Sequence, residues 1–384
     1  MRRYLYLYIA FLTLISCGDK KKSIHFDKYN LQAVDSIQFK NPSYSYYMSW
    51  NNQYVNDTLV RLSYGTDNAI ELIDLKNEKF IDVYQFKKGT DKGVGRMQGF
   101  YYHNRDSLFV FNNTQIVLTN LYNDSIINVY DIKGDYDKLW YPLNTANGND
   151  ITLINDKIYF GKTDFEKTNS NAYYDSALLM EIDLKTNTTI QYDKIHFPEL
   201  YYDKCWQDRL VDYSMIFNPL TKEFIFNFPI SHYTYVFNTS KNKFTTHFTR
   251  SKYMPDGVET MKCNTYDVKK RRSYLYSKTY YYKSIYDPYR KVYYRIVKHS
   301  VNQEKAIELS DNFYGDHTIP FSIMIIDKDF KVVGETNFPS NTYSTGDFFV
   351  GPKGLYIQKN NVFNENFDEN IIKYEILLPK LNDL

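Results

Sequence analysis

The stretch AIELIDLKNEKFIDVY, residues 69–84, reads as two short apolar strands around one polar turn. Asp74 opens the turn. Aspartate and asparagine suit that place because their side chains bond nearby backbone and tolerate left-handed geometry. The same phrase returns as QIVLTNLYNDSIINVY (115–130), LLMEIDLKTNTTIQY (178–192), YTYVFNTSKNKFTTHF (233–248) and SIMIIDKDFKVVGE (322–335). Asn120, Asp183, Asn238 and Asp327 hold the turn position in these copies. A sixth copy, IIKYEILLP (371–379), is cut short near the end of the chain.

A second phrase precedes each copy: a polar turn, then one strand. It appears as DTLVRLSYG, DSLFVFN, DKIYFGK, KEFIFNF, RKVYYRIV and KGLYIQK. Their first apolar residues are Leu59, Leu108, Ile158, Phe224, Val292 and Leu355, at intervals of 49, 50, 66, 68 and 63 residues. Each unit therefore reads as a four-stranded antiparallel meander. One such sheet cannot bury both of its faces alone. Six sheets stacked radially cover each other and leave only short edges. The expected fold is all-β, a six-bladed β-propeller of four-stranded antiparallel blades; two β-sandwiches are the rival. No linker composition interrupts the middle of the chain, which favours one ring. The last unit lacks its outermost strand. Leu31–Lys40, which alternates apolar and polar residues, is the segment expected to supply it. Helical periodicity is nearly absent from this region.

The first residues give an address. Arg2 and Arg3 precede an apolar run from Tyr4 to Ser16, thirteen residues long. That is too short to span a bilayer, which takes roughly 20 residues, and fits a signal-peptide core of about 7–15. Leu14-Ile15-Ser16-Cys17 resembles the bacterial lipobox, which implies cleavage before Cys17 and acylation of its thiol. The chain is thus expected to divide into a signal peptide (1–16), a lipidated tether (17–30) and a propeller domain (31–384). A diacylglycerol and a palmitate-like chain on Cys17 would anchor it to a membrane.

Composition is that of an ordinary globular protein, 43% hydrophobic and 24% charged. Lys+Arg is 47 and Asp+Glu 45, and loss of Arg2 and Arg3 leaves the mature chain formally neutral. This argues against a nucleic-acid partner, which needs a concentrated basic surface. The 40 Tyr and 26 Phe suit strands, and an AT-rich genome enriches the same residues. Apart from Cys17 the cysteines are Cys205 and Cys263. Two separate buried thiols are the default expectation, with a disulfide as the alternative in an oxidising compartment.

The signal, the six irregular repeats, the Gly-rich turn GTDKGVGRMQGF (89–100) and the phrase IYDPYRKVYYRIV (285–297) together resemble one family. It is a family of unknown function among Bacteroidota lipoproteins, akin to six-bladed propellers with TolB-like or NHL-like blades. The resemblance implies a cell-envelope location and no assigned reaction, so no catalytic residue carries over. Surface export in such lipoproteins uses several acids after the Cys. Here Asp19 is followed by Lys20, Lys21 and Lys22, which favours the periplasmic side of the outer membrane, with surface display as the alternative.

The candidate binding residues are Asp287, Tyr289, Arg290, Tyr294 and Arg295 in YDPYRKVYYR, with Trp206 and Arg209 in CWQDRL expected at the same mouth. The arginines would fork to carboxylates or hydroxyls, and the tyrosines would stack on a sugar face. The competing reading is a structural Asp–Arg pair. Gly93, Gly95 and Gly99 miss the dinucleotide spacing by one residue, and a strand follows them, so they read as a turn. The seven histidines are scattered, with no metal-ligand or nucleophile motif, and no cofactor or metal is expected. Ser36, Thr58, Ser107, Ser125 and Ser176 each follow an Asp and precede an apolar residue, a triplet that resembles the Bacteroidota O-glycosylation acceptor. Three function classes follow: a non-catalytic module binding a glycan, peptide or envelope protein; a propeller enzyme (metal-assisted lactonase, hydrolase or lyase) with its site in the central channel; or a structural subunit of an envelope complex.

Overall fold

A computed structural model describes residues 28–382, apart from 42–48, 50, 64–67, 88–92, 113, 133–142, 145–147, 163–168 and 313–314. The leader, Cys17 and the tether through residue 27 lie outside the described residues.

The chain is all-β. The first unit is β2 (Asn52–Val55), β3 (Thr58–Ser63), β4 (Asn68–Asp74) and β5 (Lys79–Phe86), antiparallel and in sequence order. The second repeats this with β6 (Gly99–Asn104), β7 (Ser107–Phe111), β8 (Gln115–Asn120) and β9 (Ser125–Asp131). In the third, β10 (Leu143–Asn144) and β11 (Thr152–Ile154) both pair with β12 (Lys157–Lys162), followed by β13 (Leu179–Asp183) and β14 (Thr188–Gln191). The fourth is β15 (Ser214–Asn218), β16 (Glu223–Asn227), β17 (Tyr233–Asn238) and β18 (Lys243–Phe248).

The fifth and sixth units form one eight-stranded sheet. Its first half is β19 (Tyr280–Asp287), β20 (Val292–Lys298), β21 (Phe321–Ile326) and β22 (Val332–Phe338). Its second half is β1 (Tyr29–Lys40), β25 (Ile371–Leu381), β24 (Gly354–Gln358) and β23 (Ser344–Gly351). The end strands β19 and β23 also approach one another, so this sheet is nearly closed on itself. The expected fourth strand of the last unit is present: β1 runs antiparallel to β25 from Tyr29–Leu381 to Lys40–Ile371. It begins two residues before the expected Leu31. The two halves join where Tyr29 pairs in parallel with Gly334. A Cβ at Gly334 would sit 2.1 Å from the Tyr29 carbonyl oxygen, so only glycine lets the strands meet there.

The turns follow the sequence reading. Asp74 Oδ1 accepts the backbone N–H of Lys76 and Asn77, and Asp183 Oδ1 accepts those of Lys185 and Thr186. Asn120 and Asn238 take Tyr122 and Lys241 in the same way. The tight hairpins at Asn56-Asp57 and Asn155-Asp156 have positive φ at both residues, as a right-twisting two-residue hairpin requires.

Strand alternation sends neighbouring residues to opposite faces, and both faces are used. Val60, Leu62, Ile70 and Leu72 pack on Phe100, Leu108 and Val110 of the second unit. Leu59 and Ile73, from the same strands, pack on Phe349, Tyr374 and Ile376 of the sixth. Four further apolar clusters fill the seams between units two and three, three and four, four and five, and five and six. Every unit thus has a buried seam with its predecessor and its successor, and the last seam joins the end of the chain to its beginning.

The strand repeat leaves no place for the two longer helices among the described residues: Val268–Tyr276, capped by Asp267, and Gln303–Ser310, capped by Asn302. Both lie in long connections, the first ahead of β19 and the second between β20 and β21.

Candidate functional site

The fifth-unit phrase folds into a turn that its own residues hold. Asp287 ends β19 and is fully buried. Its Oδ1 accepts the backbone N–H of Tyr289 and Arg290 at 3.0 Å and the Arg290 guanidinium at 3.1 Å. Its Oδ2 accepts the Tyr294 hydroxyl at 3.1 Å. Arg290 reaches on to the sixth unit, donating to Pro352 O at 2.9 Å and Gly351 O at 3.3 Å. Tyr289 is half exposed. The fourth unit builds the same turn with Asn218-Pro219, where Asn218 Oδ1 accepts the N–H of Leu220 and Thr221. Asp287-Pro288 is therefore a recurring turn element with a charge added.

Tyr294 and Arg295 are consecutive strand residues and so face opposite ways. Tyr294 packs in the seam with the sixth unit. Arg295 enters the seam with the fourth, is 1% exposed, and stacks 3.4 Å from the ring centre of Tyr281. It donates to the carbonyls of Ser231 (2.9 Å), Phe228 (3.1 Å) and Thr249 (3.4 Å). Burial pulls its pKa down to about 10. No ligand can reach that guanidinium, and the expectation that both arginines open onto one mouth is corrected.

Trp206 is 2% exposed, donates to Tyr201 O at 3.4 Å, and belongs to the aromatic core between units three and four. Arg209 is more accessible, 3.7 Å from Asp212 and near the ring of Tyr282. Tyr282 lies near the start of β19 and Asp287 at its end. Five residues of strand, roughly 17 Å, separate them, so CWQDRL and YDPYRK do not share a mouth.

Of the candidate acceptor hydroxyls, Ser36 stands exposed on β1. Thr58, Ser107 and Ser125 are half-buried first residues of strands, and Ser176 donates to Tyr173 O at 2.7 Å. Cys205 and Cys263 do not remain separate thiols; they form a disulfide with a Cα–Cα distance of 5.3 Å. Their separation of 58 residues hides this in the sequence. The link becomes visible only where Cys205 pairs with Met261 across an isolated bridge.

The feature that sequence reading missed lies where the first strands of the units converge. A cavity of about 90 Å³ is walled by Asn51, Asn52 and Gln53 of the first unit, Phe100 of the second and Gly148–Ile151 of the third. Ile285 of the fifth and Phe348 of the sixth complete it. The fourth unit joins through a bridge between Asn149 and Met215. Gly148 has φ +85, and a Cβ there would meet Lys283 and Ser284 at 3.0 Å. Its carbonyl accepts the Ser214 hydroxyl at 2.5 Å, and Ser214 in turn accepts the N–H of Ser284.

Among the described residues of this lining, Asp150 is the one that carries a charge. Its Oδ2 accepts the Phe217 N–H at 2.7 Å, while Oδ1 accepts no bond among the described residues. Burial pushes its pKa up to about 6. On the other wall, Asn52 donates to Asp347 Oδ1 at 2.6 Å. Asp347 is fully buried, takes Tyr374 OH and Ser49 N, and lies 3.5 Å from Arg61, which also approaches Glu71 at 3.5 Å. Burial raises the Asp347 pKa despite that arginine.

Among the described residues, no three His, Cys, Asp or Glu gather as a metal-binding group. His299 Nε2 lies 2.9 Å from the Ser322 hydroxyl, but that hydroxyl is fully buried and also bonds Glu335 at 2.6 Å. Burial lowers the His299 pKa to about 4. A serine closed off from solvent is no nucleophile.

The architecture is that of an all-β protein of four-stranded antiparallel units around a small polar cavity. Residues 28–337 match the family DUF4221, a domain of unknown function, and the chain belongs to that family. A DUF4221 member from Bacteroides vulgatus ATCC 8482 has a similar structure, with a TM-score of 0.80 at 19% identity, covering 93% of this chain and 99% of that one. The protein BF0058 of Bacteroides fragilis NCTC 9343 is similar at a TM-score of 0.53 and 11% identity, covering 94% and 99%. No curated protein matches the chain in sequence.

Proposed function

We propose that the protein is a six-bladed β-propeller, anchored to the cell envelope by a lipid on Cys17, that binds a glycan, peptide or envelope partner without turning it over. The cyclic run of six seams supports the ring. The disulfide supports export, because such links persist in oxidising compartments.

The observation that carries the binding reading is the cavity, with one half-engaged carboxylate among amide side chains. One water needs roughly 10–15 Å³ on the same measure, so a cavity of about 90 Å³ holds a few waters or, in their place, the polar tip of a larger partner. A hydroxyl or ammonium at the tip of a larger partner fits, donating to Asp150 Oδ1. A thermal-shift comparison of wild type and Asp150→Asn against envelope glycans and amine-bearing peptides tests this. Stabilisation of wild type alone is expected; equal responses place binding elsewhere. Replacing Cys17 by Ala tests the anchor separately, since the variant is expected to leave the membrane fraction.

A further inference from the structure

We infer that the two-helix face is a docking surface for an anionic phospholipid membrane, separate from the cavity and independent of any lipid on Cys17. The helix Val268–Tyr276 carries Lys269, Lys270, Arg271 and Arg272 in its first turns and no acid in the first. A helix N-terminus is the positive end of its dipole, which disfavours cations. Helix stability therefore does not account for this run.

The lysines stand outward. Lys269 and Lys270 have side chains 70% and 77% exposed, and their partners, Asp311 and Asp267, are themselves well exposed. Such surface pairs are worth about 0–1 kcal/mol and exchange readily for another anion. Both lysines border a hollow of about 500 Å³ between the two helices, where Ser273, Ser277 and Gln303 add donors and Ile307 an apolar wall. Arg271 and Lys278 are tied to Asp208 and Glu259 and are not assigned to the surface.

Charge complementarity alone would equally suit an acidic protein. The apolar side chains decide for a membrane. Tyr266 is 81% exposed, Val268 56% and Ile307 56%; Ile307 lines the hollow with the two lysines, and Tyr266 and Val268 precede them directly in the chain. Exposed aromatic and aliphatic groups next to lysines are what an interfacial element buries at the headgroup boundary, while the ammonium groups meet phosphates. The formally neutral mature chain makes this a local patch and not a general attraction to polyanions.

The test uses the mature chain with Cys17→Ser, so that no acyl chain contributes, and vesicles of phosphatidylcholine alone or with about 30% phosphatidylglycerol. Sedimentation is expected with the anionic vesicles only, weakening as salt rises from about 0.1 M. Lys269→Glu with Lys270→Glu is expected to reduce partitioning by roughly tenfold or more at an unchanged melting temperature. Tyr266→Ser with Val268→Ser is expected to reduce it while leaving the charge intact. Equal sedimentation with both vesicles, or charge-reversed protein that binds like its parent, overturns the inference. Saturable binding of inorganic phosphate without vesicle binding also overturns it, by assigning the hollow to a free anion.

Discussion

Asp287, fully buried, and Asp150, half-buried, are two aspartates that the fold holds for different ends. Asp287 has both oxygens engaged, by two backbone N–H groups, one guanidinium and one phenol. Asp150 has one oxygen engaged, and the described residues that line its cavity include no cation. A saturated charge holds its surroundings together. A half-saturated one leaves free energy of interaction for a partner, and its raised pKa records that the fold alone does not compensate it. The richly charged phrase of this chain accordingly holds a turn together, and the sparsely charged cavity is the site we propose.

The sharpest break of that contrast is Arg295→Ala. It leaves the carbonyls of Phe228, Ser231 and Thr249 without their donor and opens a void against Tyr281. A loss of about 3–5 kcal/mol in denaturant unfolding is expected. A loss under ~1 kcal/mol would return this arginine to the candidate ligand contacts. Next in size is removal of the Cys205–Cys263 link, by reduction or by paired Ser substitutions. A loop of 58 residues is expected to cost about 2–4 kcal/mol when released, with ligand binding at the cavity unchanged.

The repeat was legible because turn chemistry is local. Asp74, Asn120, Asp183, Asn238 and Asp327 bond backbone within four residues of themselves. The missing last strand was legible for a related reason: five units ended in four strands and one in three. What was not legible depends on distant partners. Arg295 stacks on Tyr281, fourteen positions earlier in the preceding strand, and bonds carbonyls of another unit. Asp150 sits in an irregular stretch before a three-residue strand, where no repeat phrase marks it. The helix at Val268–Tyr276 had a visible cap in Asp267. Its tyrosines favour sheets, and Leu275 and Tyr276 at its end pack in the aromatic core.

Smaller effects separate the two aspartates directly. Asp287→Asn keeps the turn, as Asn218 shows in the fourth unit, but loses the charge beside Arg290. We expect a loss of about 1–2 kcal/mol. Asp150→Asn is expected to act in the opposite direction. A carboxyl whose folded pKa lies above its unfolded value stabilises the fold at low pH, and that contribution disappears as pH rises through the folded value, here about 6. The amide removes the cost of a desolvated charge. Discounted for its partial exposure, the gain is roughly 1 kcal/mol above pH 7 and vanishes near pH 4.

The stability of Asp287→Asn and Asp150→Asn against wild type, by denaturant unfolding from pH 4 to 8, therefore tests the central claim most directly. The expected result at pH 8 is a pair of opposite signs: Asp287→Asn less stable than wild type and Asp150→Asn more stable, with the second difference closing as pH falls below about 6. A destabilised Asp150→Asn at pH 8, with no dependence on pH, would make Asp150 a structural group like Asp287 and would contradict the assignment of the cavity as the binding site.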